Sequence, residues 1–437
     1  MRGLPNGHLY FMNARTIHFH RTLRYAAYAA LTAIISSTLC AENWPAWRGA
    51  TGQGISNERN IPTTWDATTD VRWRVKLPDK GNSTPVVWED RVFVTQAMVA
   101  EKTRGVMCFD RKAGKLLWQS SVRVDENEPT HDTNPPGSSS PVTDGERVVA
   151  WFGSAGIVCY DLDGKELWRR ELGTQRHEWG WASSPVIHGD LVLLNFGPGE
   201  RQFLVALDKK TGAFVWQVDI PVPEKKGWNG SWSTPVMMTV DGKAQVLLST
   251  AEKLAAFDPA GGKELWHSGG LNPLVYTSPI FGEGIIVTNG GYSGSALAVQ
   301  AGGSGDITES HRVWHQPKTP QRIGSGVIHE GHIYIVDDPG IAQCIELKTG
   351  NSVWKERLPA KAKATTNWSS AVLADGNIYS MSQGGDVFVF KAATKFEMVA
   401  VNALGERANA SVVISNGDIF LRTYDALWCV GKSEKAR

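Results

Sequence analysis

Aromatic, amide and imidazole side chains recur in the short segments that separate the apolar, strand-like runs of this chain. Together they suit a polar ring-shaped ligand such as a sugar, or an extended peptide, and two arginines among them favour a carboxylate. The candidate ligand-binding residues are His131, Asn134, His177, Trp179, Trp181, Trp228, Asn229, Trp232, Asn272, Tyr276, Arg322, Trp368 and Arg407. A structural interpretation stays open beside this one, because amides cap backbone groups and tryptophans fill wide channels.

Residue patterns typical of catalysis or metal binding are absent from the sequence. His131 and His177 have no metal-ligand spacing, so we expect no metal site. The acidic pair Asp337–Asp338 precedes a Pro-Gly turn, and we expect it to be solvated. The glycine runs at Gly290 and Gly302 follow no strand-to-helix pattern and are predicted to be loops. There is also no P-loop, no HExxH and no G-x-S-x-G motif, so no catalytic residue is predicted.

A tryptophan that closes a short strand recurs at intervals of 40 to 50 residues. An acid and a Gly-containing turn precede most copies, as in YDLDGK before Trp168 and LDKKTG before Trp216. The repeat tryptophans are Trp73, Trp118, Trp168, Trp216, Trp266, Trp314 and Trp354. We interpret them as scaffold packed between neighbouring repeats, and expect Trp216→Ala to cost about 3–5 kcal/mol.

Each repeat opens with a small-small-Pro-apolar strand, and a second strand follows after a Gly/Asp turn. The opening strands are STPV at Ser83, SSPV at Ser139 and Ser183, STPV at Ser233, TSPI at Thr277, SGVI at Ser325, SSAV at Ser369 and ASVV at Ala410. Four short strands in a unit of 40–50 residues indicate a propeller blade.

The opening strands predict an all-β fold, an eight-bladed β-propeller of four-stranded antiparallel blades. The seventh blade has Met398 where the tryptophan is expected, and the chain ends after three strands of the eighth, near Trp428. The segment VRWRVKL around Trp73 supplies the missing strand. Pairing of the N-terminal and C-terminal strands therefore closes the ring and removes an open edge.

Four cysteines follow the N-terminal segment, at Cys108, Cys159, Cys344 and Cys429. Each falls in the predicted third strand of its blade. Equivalent positions in neighbouring blades are roughly 10 Å or more apart, whereas a disulfide needs Cα atoms within about 7 Å. We therefore expect buried free thiols.

The alternation of SSPV, D-x-x-x-G-K and a terminal tryptophan resembles the pyrroloquinoline quinone (PQQ) type repeat, over about residues 43–431. NWPAWRG, SWSTPV and GLNPLVYTSP are similar to segments of PQQ-like propellers of planctomycete-type bacteria. The resemblance extends more distantly to quinoprotein alcohol dehydrogenases and to the outer-membrane barrel-assembly propeller lipoprotein. It implies the propeller fold. For a dehydrogenase it would also imply PQQ with calcium, a vicinal disulfide and a set of acidic residues around the calcium. This sequence has no two adjacent cysteines and no acidic cluster with calcium-loop spacing.

Residues 1–41 differ in composition from the rest of the chain. Basic residues precede an apolar run from Tyr25 to Leu39, which is typical of a signal peptide and short for a membrane span. Met12 is an alternative start, and a lipid anchor at Cys40 is disfavoured because Leu39 precedes it. We expect a lead segment over 42–70, the propeller over 71–431 and a tail over 432–437.

The charges nearly cancel, with 45 basic and 44 acidic residues, so nucleic acid and anionic membranes are disfavoured partners. The sequence thus predicts a periplasmic or secreted protein, monomeric, without a membrane span or cofactor. It would bind an envelope protein or a small polar ligand through the face where the blade linkers meet. The alternative is a PQQ-dependent periplasmic dehydrogenase, with PQQ and calcium as cofactors.

Overall fold

The computed structural model describes residues 42–125, 128–222, 229–292 and 294–431. The predicted signal peptide, Met12, Cys40, Trp228 and the tail lie outside these residues. Within the described ranges the only helical element is one 3-10 turn at Gly153–Ala155. None of the helical structure in these ranges is long and apolar enough to cross a membrane.

Eight blades of four antiparallel strands form the ring, and in blades 1–7 these four strands follow one another from the axis outwards in chain order. Blades 1 and 2 consist of β2 (Val86–Trp88), β3 (Arg91–Met98), β4 (Thr103–Asp110), β5 (Leu116–Arg123), β6 (Val142–Thr143), β7 (Arg147–Trp151), β8 (Ile157–Asp161) and β9 (Glu166–Arg170). Blades 3 and 4 consist of β10 (Val186–His188), β11 (Leu191–Phe196), β12 (Phe203–Asp208), β13 (Phe214–Asp219), β15 (Val236–Val240), β16 (Lys243–Thr250), β17 (Lys253–Phe257) and β18 (Glu264–Gly269).

Two linkers also contribute a short parallel pair of strands, β14 (Gly230–Ser231) and β19 (Leu274–Val275). The remaining blades repeat the same order of strands. Blades 5 and 6 consist of β20 (Ile280–Gly282), β21 (Ile285–Asn289), β22 (Ala296–Gln300), β24 (Arg312–Gln316), β25 (Val327–His329), β26 (His332–Asp337), β27 (Ile341–Glu346) and β28 (Ser352–Arg357). Blades 7 and 8 consist of β29 (Val372–Ala374), β30 (Asn377–Met381), β31 (Asp386–Lys391), β32 (Met398–Ala403), β33 (Val413–Ser415), β34 (Asp418–Arg422), β35 (Ala426–Val430) and β1 (Val71–Lys76).

The predicted closure of the ring is confirmed, because β1 pairs antiparallel with β35 as the outer strand of blade 8. Trp73 lies opposite Cys429, and Lys76 lies opposite Ala426. The eighth blade therefore takes three strands from the end of the chain and one from its beginning. This pairing leaves no incomplete blade in the ring.

Burial falls from the inner strands to the outer strand of a blade. In blade 1, β3 is buried from Val92 to Met98, whereas β5 is exposed at most positions. The inner strands pack on both faces against neighbouring blades, so they are continuous apolar runs rather than alternating ones. The outer strand faces solvent and alternates.

The repeat tryptophans bridge adjacent blades. Six of them donate the indole N–H to a backbone carbonyl in the turn before the outer strand of the next blade, at 2.8–2.9 Å. Trp266 donates to Gln245 of its own blade instead, at 3.0 Å. In blade 5 that turn is replaced by a longer segment whose strand β23 (Gly305–Asp306) adds in parallel to β18 as a fifth strand of blade 4.

A small residue lies opposite every repeat tryptophan on the third strand of the same blade. It is cysteine in four blades and alanine in three, in the pairs Cys108–Trp118, Cys159–Trp168, Cys344–Trp354, Cys429–Trp73, Ala206–Trp216, Ala256–Trp266 and Ala298–Trp314. All four cysteines are buried, and none of the four is joined in a disulfide. Their recurrence therefore reflects the room that the tryptophan ring needs.

The lead segment crosses one end of the axis. Trp44 pairs with Val87 of blade 1, and Leu373 of blade 7 exchanges hydrogen bonds with the backbone of Gly54 and Ser56 at 2.8–2.9 Å. Between these contacts, Arg48 is 2% exposed and donates to the carbonyls of Gln53 and Gly326, each at 2.6 Å. The segment thus covers the axis from blade 1 to blade 7.

Candidate functional site

A cavity of about 550 Å³ lies on the axis and is lined by residues of all eight blades or the linkers preceding them. Its walls come from the linkers, and its inner boundary comes from the opening motifs of the blades. Trp47 of the lead segment also lines the cavity. The lining residues are Trp47, Asn82, Thr84, His131, Thr133, Asn134, Ser138, Ser140, Trp179, Ala182, Ser184, Trp232, Thr234, Leu274, Tyr276, Tyr292, Gln321, Ile323, Trp368, Ser370, Asn409 and Ser411.

Aromatic rings that line the cavity are held by specific contacts. Trp179 stacks on His131 with ring centroids 4.3 Å apart, and Trp232 packs edge-on against Tyr276 at 5.1 Å. Trp232 donates its indole N–H to the Gly180 carbonyl at 3.0 Å. These contacts fix the rings before any ligand arrives, which reduces the entropy lost on binding.

A ring of hydroxyls, the hydroxyl ring, encircles the axis where the opening motifs meet. Its members are Thr84, Ser140, Ser184, Thr234, Ser278, Ser325, Ser370 and Ser411. The backbone N–H of each residue donates to the hydroxyl of the next, and Ser411 donates to Thr84, with N···O distances of 2.8–3.1 Å. The ring is therefore closed by one hydrogen bond at every blade boundary.

Two amides add unpaired acceptors to the cavity wall. Asn82 and Asn409 both donate to the Thr133 carbonyl, at 2.8 and 2.9 Å. The Oδ1 atoms of both are buried and have no hydrogen-bond partner among the described residues. A buried acceptor left unpaired costs about 1–3 kcal/mol, so a donor on a ligand would stabilise this wall.

The residues lining the cavity include no Asp, Glu, Lys or Arg. Charged groups lie outside the lining, where Asp132 pairs with Lys80 and lies 3.9 Å from Arg407. Asp338 accepts the indole N–H of Trp368 at 2.8 Å, and burial raises the pKa of its carboxyl. The groups that this cavity offers to a ligand are therefore aromatic rings and mainly neutral hydrogen-bonding groups.

The family model described as outer membrane protein assembly factor BamB matches residues 57–193 and 102–356, more than half of the chain. The chain belongs to this family. Its resemblance to PQQ-type propellers, predicted from the repeats, is thereby confirmed.

Two curated relatives represent both branches of the resemblance. A 1-butanol dehydrogenase (quinone) of Thauera butanivorans is 26% identical over 243 residues, 51% of this chain and 36% of the relative. An outer membrane protein assembly factor BamB of Kangiella koreensis is 23% identical over 142 residues, 31% of this chain and 33% of the relative. The chain thus matches about a third of the length of either relative.

Solved structures of both kinds share the fold. BamB of Moraxella catarrhalis superposes with a TM-score of 0.60 at 14% identity, covering 83% of this chain and 98% of that one. The quinohemoprotein alcohol dehydrogenase of Comamonas testosteroni gives 0.66 at 13% identity, covering 93% and 83%.

This member of the BamB family does not suit PQQ with calcium at its axial cavity. PQQ carries several carboxylates, which need cationic partners, and the cavity lining has neither Lys nor Arg. No group of three or more His, Cys, Asp or Glu that could hold a metal ion occurs in the described ranges. The cysteines of the blades lie opposite the repeat tryptophans, and no two of them are adjacent in the sequence, so they do not form the vicinal disulfide of a quinoprotein dehydrogenase.

Six of the predicted binding residues line the cavity: His131, Asn134, Trp179, Trp232, Tyr276 and Trp368. Two others hold lining groups from behind. His177 accepts the Trp179 backbone N–H on Nδ1 at 3.1 Å, and Asn272 donates to the Tyr292 carbonyl at 2.8 Å. Asn229 and Arg407 lie outside the lining.

Three of the expectations require correction. Arg322 is 2% exposed and donates to Asp337 at 2.9 Å and Asn289 at 2.7 Å, so its guanidinium is not available to a ligand carboxylate. The same contact contradicts the expected solvated acidic pair, because Asp337 is 1% exposed. Trp181 is core, since it packs on Trp151 and lies under Arg104.

Sequence reasoning missed the hydroxyl ring, Trp47 and the paired amides. The signal for the ring was present, because the second residue of nearly every opening motif is serine or threonine. In blade 6 the motif was placed one residue too late. Strand β25 begins at Val327, and in blade 1 the motif begins three residues before its strand, so the blade 6 motif starts at Gly324 and Ser325 is its second residue. Asn82 and Asn409 carry no local signal, since the Thr133 carbonyl that joins them comes from a third linker.

Proposed function

We propose that this chain is an envelope binding protein that takes an uncharged polar ligand into its axial cavity from the linker face. The observation that carries the proposal is a preformed cavity with aromatic walls, unpaired hydrogen-bonding groups and no charged lining residue. Such a site favours molecules that combine flat apolar faces with hydroxyls or amides. The basic-then-apolar N-terminal segment and the family support export.

A protein-binding scaffold is the second candidate, favoured by apolar side chains on the outer strands of blades 1–3. Leu117, Phe214 and Val215 are 46–50% exposed. The similarity to an outer membrane protein assembly factor supports it. Pull-down from envelope extracts with Phe214→Ser as the control tests it, and equal recovery by both proteins would count against it.

The PQQ-dependent dehydrogenase stays the alternative of least support, because the lining suits neither PQQ nor calcium. Adding PQQ with calcium and following dye reduction with short alcohols tests it. Turnover that Trp179→Ala abolishes would replace the proposed function.

Two tryptophans on one linker give a matched test of the binding site. Trp179 lines the cavity, whereas Trp181 is 2% exposed in the core. A panel of monosaccharides, cyclitols, nucleosides and blocked peptides is screened by thermal shift and titrated by calorimetry. We expect Trp179→Ala to weaken binding of the hit about tenfold or more at nearly constant Tm.

The control variant has the opposite expectation. Trp181→Ala removes core packing and should lower stability by about 3–5 kcal/mol. A panel without any hit, or a hit that Trp179→Ala binds as tightly as the wild type, would overturn the proposed function.

A further inference from the structure

The hydroxyl ring offers donors that the protein does not use. A hydroxyl has one hydrogen to donate. Among the described residues only Ser325 donates its hydrogen, to the Ser278 carbonyl at 3.3 Å. The other seven hydroxyls accept a backbone N–H and donate to no described residue. All eight residues are at most 6% exposed, so these hydrogens need acceptors inside the ring.

The size of the ring limits what those acceptors belong to. If hydrogen-bonded neighbouring segments lie about 5 Å apart, eight of them stand roughly 6 Å from the axis. Acceptors one hydrogen bond inside the ring then lie roughly 3 Å from the axis. An atom on the axis is too far from every hydroxyl. The oxygens around a six-membered carbon ring, which project one C–O bond beyond it, fall at about that radius.

The surroundings of the hydroxyl ring suit the rest of such a molecule. Trp47 lines the axial cavity and also a second cavity formed with the lead segment, so it lies between the two. Its indole is an apolar surface for the C–H face of a sugar. The unpaired Oδ1 atoms of Asn82 and Asn409 would accept hydroxyl hydrogens of the same ligand.

We propose that the hydroxyl ring seats a six-membered polyol ring, a pyranose or a cyclitol, whose oxygens accept hydrogen bonds from the serine and threonine hydroxyls. This inference rests on the proposed function and specifies its ligand class. The unpaired donors, the dimension of the ring and the uncharged lining all point to the same chemistry.

Two pairs of variants test the seat without breaking its backbone hydrogen bonds. Ser184→Thr with Ser370→Thr adds two methyl groups across the axis and keeps both hydroxyls. Thr84→Ser with Thr234→Ser removes two methyl groups and also keeps the hydroxyls. Threonine and serine both occur in the ring already, so each pair should retain the wild-type Tm within a few degrees.

D-glucose, myo-inositol and cyclohexanol are titrated by calorimetry into the wild type and both double variants. We expect glucose or inositol to bind the wild type and the added methyls to weaken binding about tenfold or more. The serine pair keeps the hydroxyls and widens the ring, so it should weaken binding less than the threonine pair does. Cyclohexanol has the ring but lacks most of the oxygens, and should bind at least about tenfold more weakly.

Three outcomes overturn the polyol seat. They are no heat with either polyol at millimolar concentration, cyclohexanol binding as tightly as the polyols, and unchanged polyol affinity in the threonine pair. If another uncharged compound then binds and depends on Trp179, the proposed function stands and only the polyol class fails.

Discussion

Trp168→Ala is the substitution that most directly tests how the blades hold together. Trp168 is 8% exposed, donates its indole N–H to Lys209 of blade 3 at 2.9 Å, and covers Gly212 of that blade. Truncation removes a buried ring, at a cost of about 3–5 kcal/mol, and one hydrogen bond, at about 1 kcal/mol. We therefore expect a loss of about 4–6 kcal/mol, measured from the urea midpoint at constant m-value.

Two companion variants separate the contributions. Trp168→Phe keeps most of the ring and loses the donor, so it should cost about 1–2 kcal/mol. Trp216→Ala removes the equivalent repeat tryptophan of blade 3, whose indole is only half-buried. It should therefore lower the free energy of unfolding by less than Trp168→Ala does. A loss of stability below about 1 kcal/mol for Trp168→Ala, or equal losses for Trp168→Phe and Trp168→Ala, would refute the interpretation that the buried Trp168 ring packs neighbouring blades together.

Three further predictions follow from named contacts. Burial lowers the pKa of His177, and the charge of Glu178 opposes this shift. Below pH about 6.5 the unfolded chain therefore binds more protons than the folded chain, so the free energy of unfolding should fall as the pH drops from 7 to 5. A His177→Asn variant whose stability falls equally steeply with pH would contradict this. Gly212 and Gly242 have similar φ values, +67° and +74°, but a Cβ added at Gly212 would lie 2.5 Å from the Trp168 ring, whereas one added at Gly242 would contact nothing within 4 Å. Gly212→Ala should therefore have a much lower Tm than Gly242→Ala, and equal Tm shifts would argue against close packing of Gly212 on Trp168. Burial raises the pKa of the Cys108 and Cys159 thiols to about 12, so a thiol reagent at pH 8 should label these two only after denaturation, and rapid native labelling would disprove their burial.

The fold was predictable because its determinants are local and repeated. The strand pattern, the Gly turn and the closing tryptophan recur in most units, and VRWRVK supplies the fourth strand that blade 8 lacks. What departed from the repeat is non-local. The fifth strand of blade 4 comes from residues of blade 5, and no propensity within Gly305–Asp306 specifies that partner.

The site was predictable only as far as the linkers mark the axial mouth. Trp232 and Trp368 immediately precede the opening motifs at Ser233 and Ser369, Trp179 lies four residues before Ser183, and all three line the cavity. The same argument failed for Arg322, because its partner Asp337 ends the second strand of the same blade and lies within reach only in the folded sheet. Trp181 failed for another reason, since the linker turns between the two tryptophans. The Gly180 N–H donates to the His177 carbonyl at 2.8 Å and Gly180 has φ +66°, so Trp181 lies in the core although Trp179 lines the cavity.

Two of the opening motifs that lack proline lie where the lead segment docks. Blades 1–5 have proline after the ring hydroxyl, whereas blades 6 and 7 have Gly326 and Ala371. Ala371 uses its backbone N–H to donate to the Ser325 carbonyl at 2.9 Å, a bond that proline lacks the hydrogen to make. The carbonyls of Gly326 and Ala371 accept from buried Arg48. Ala371→Pro should therefore loosen the lead segment over the axis. The hydroxyl ring should stay in place, because it uses the preceding residue, Ser370. The rate of trypsin cleavage after Arg48 measures the loosening, and an unchanged rate would show that the lead segment is held independently of this motif.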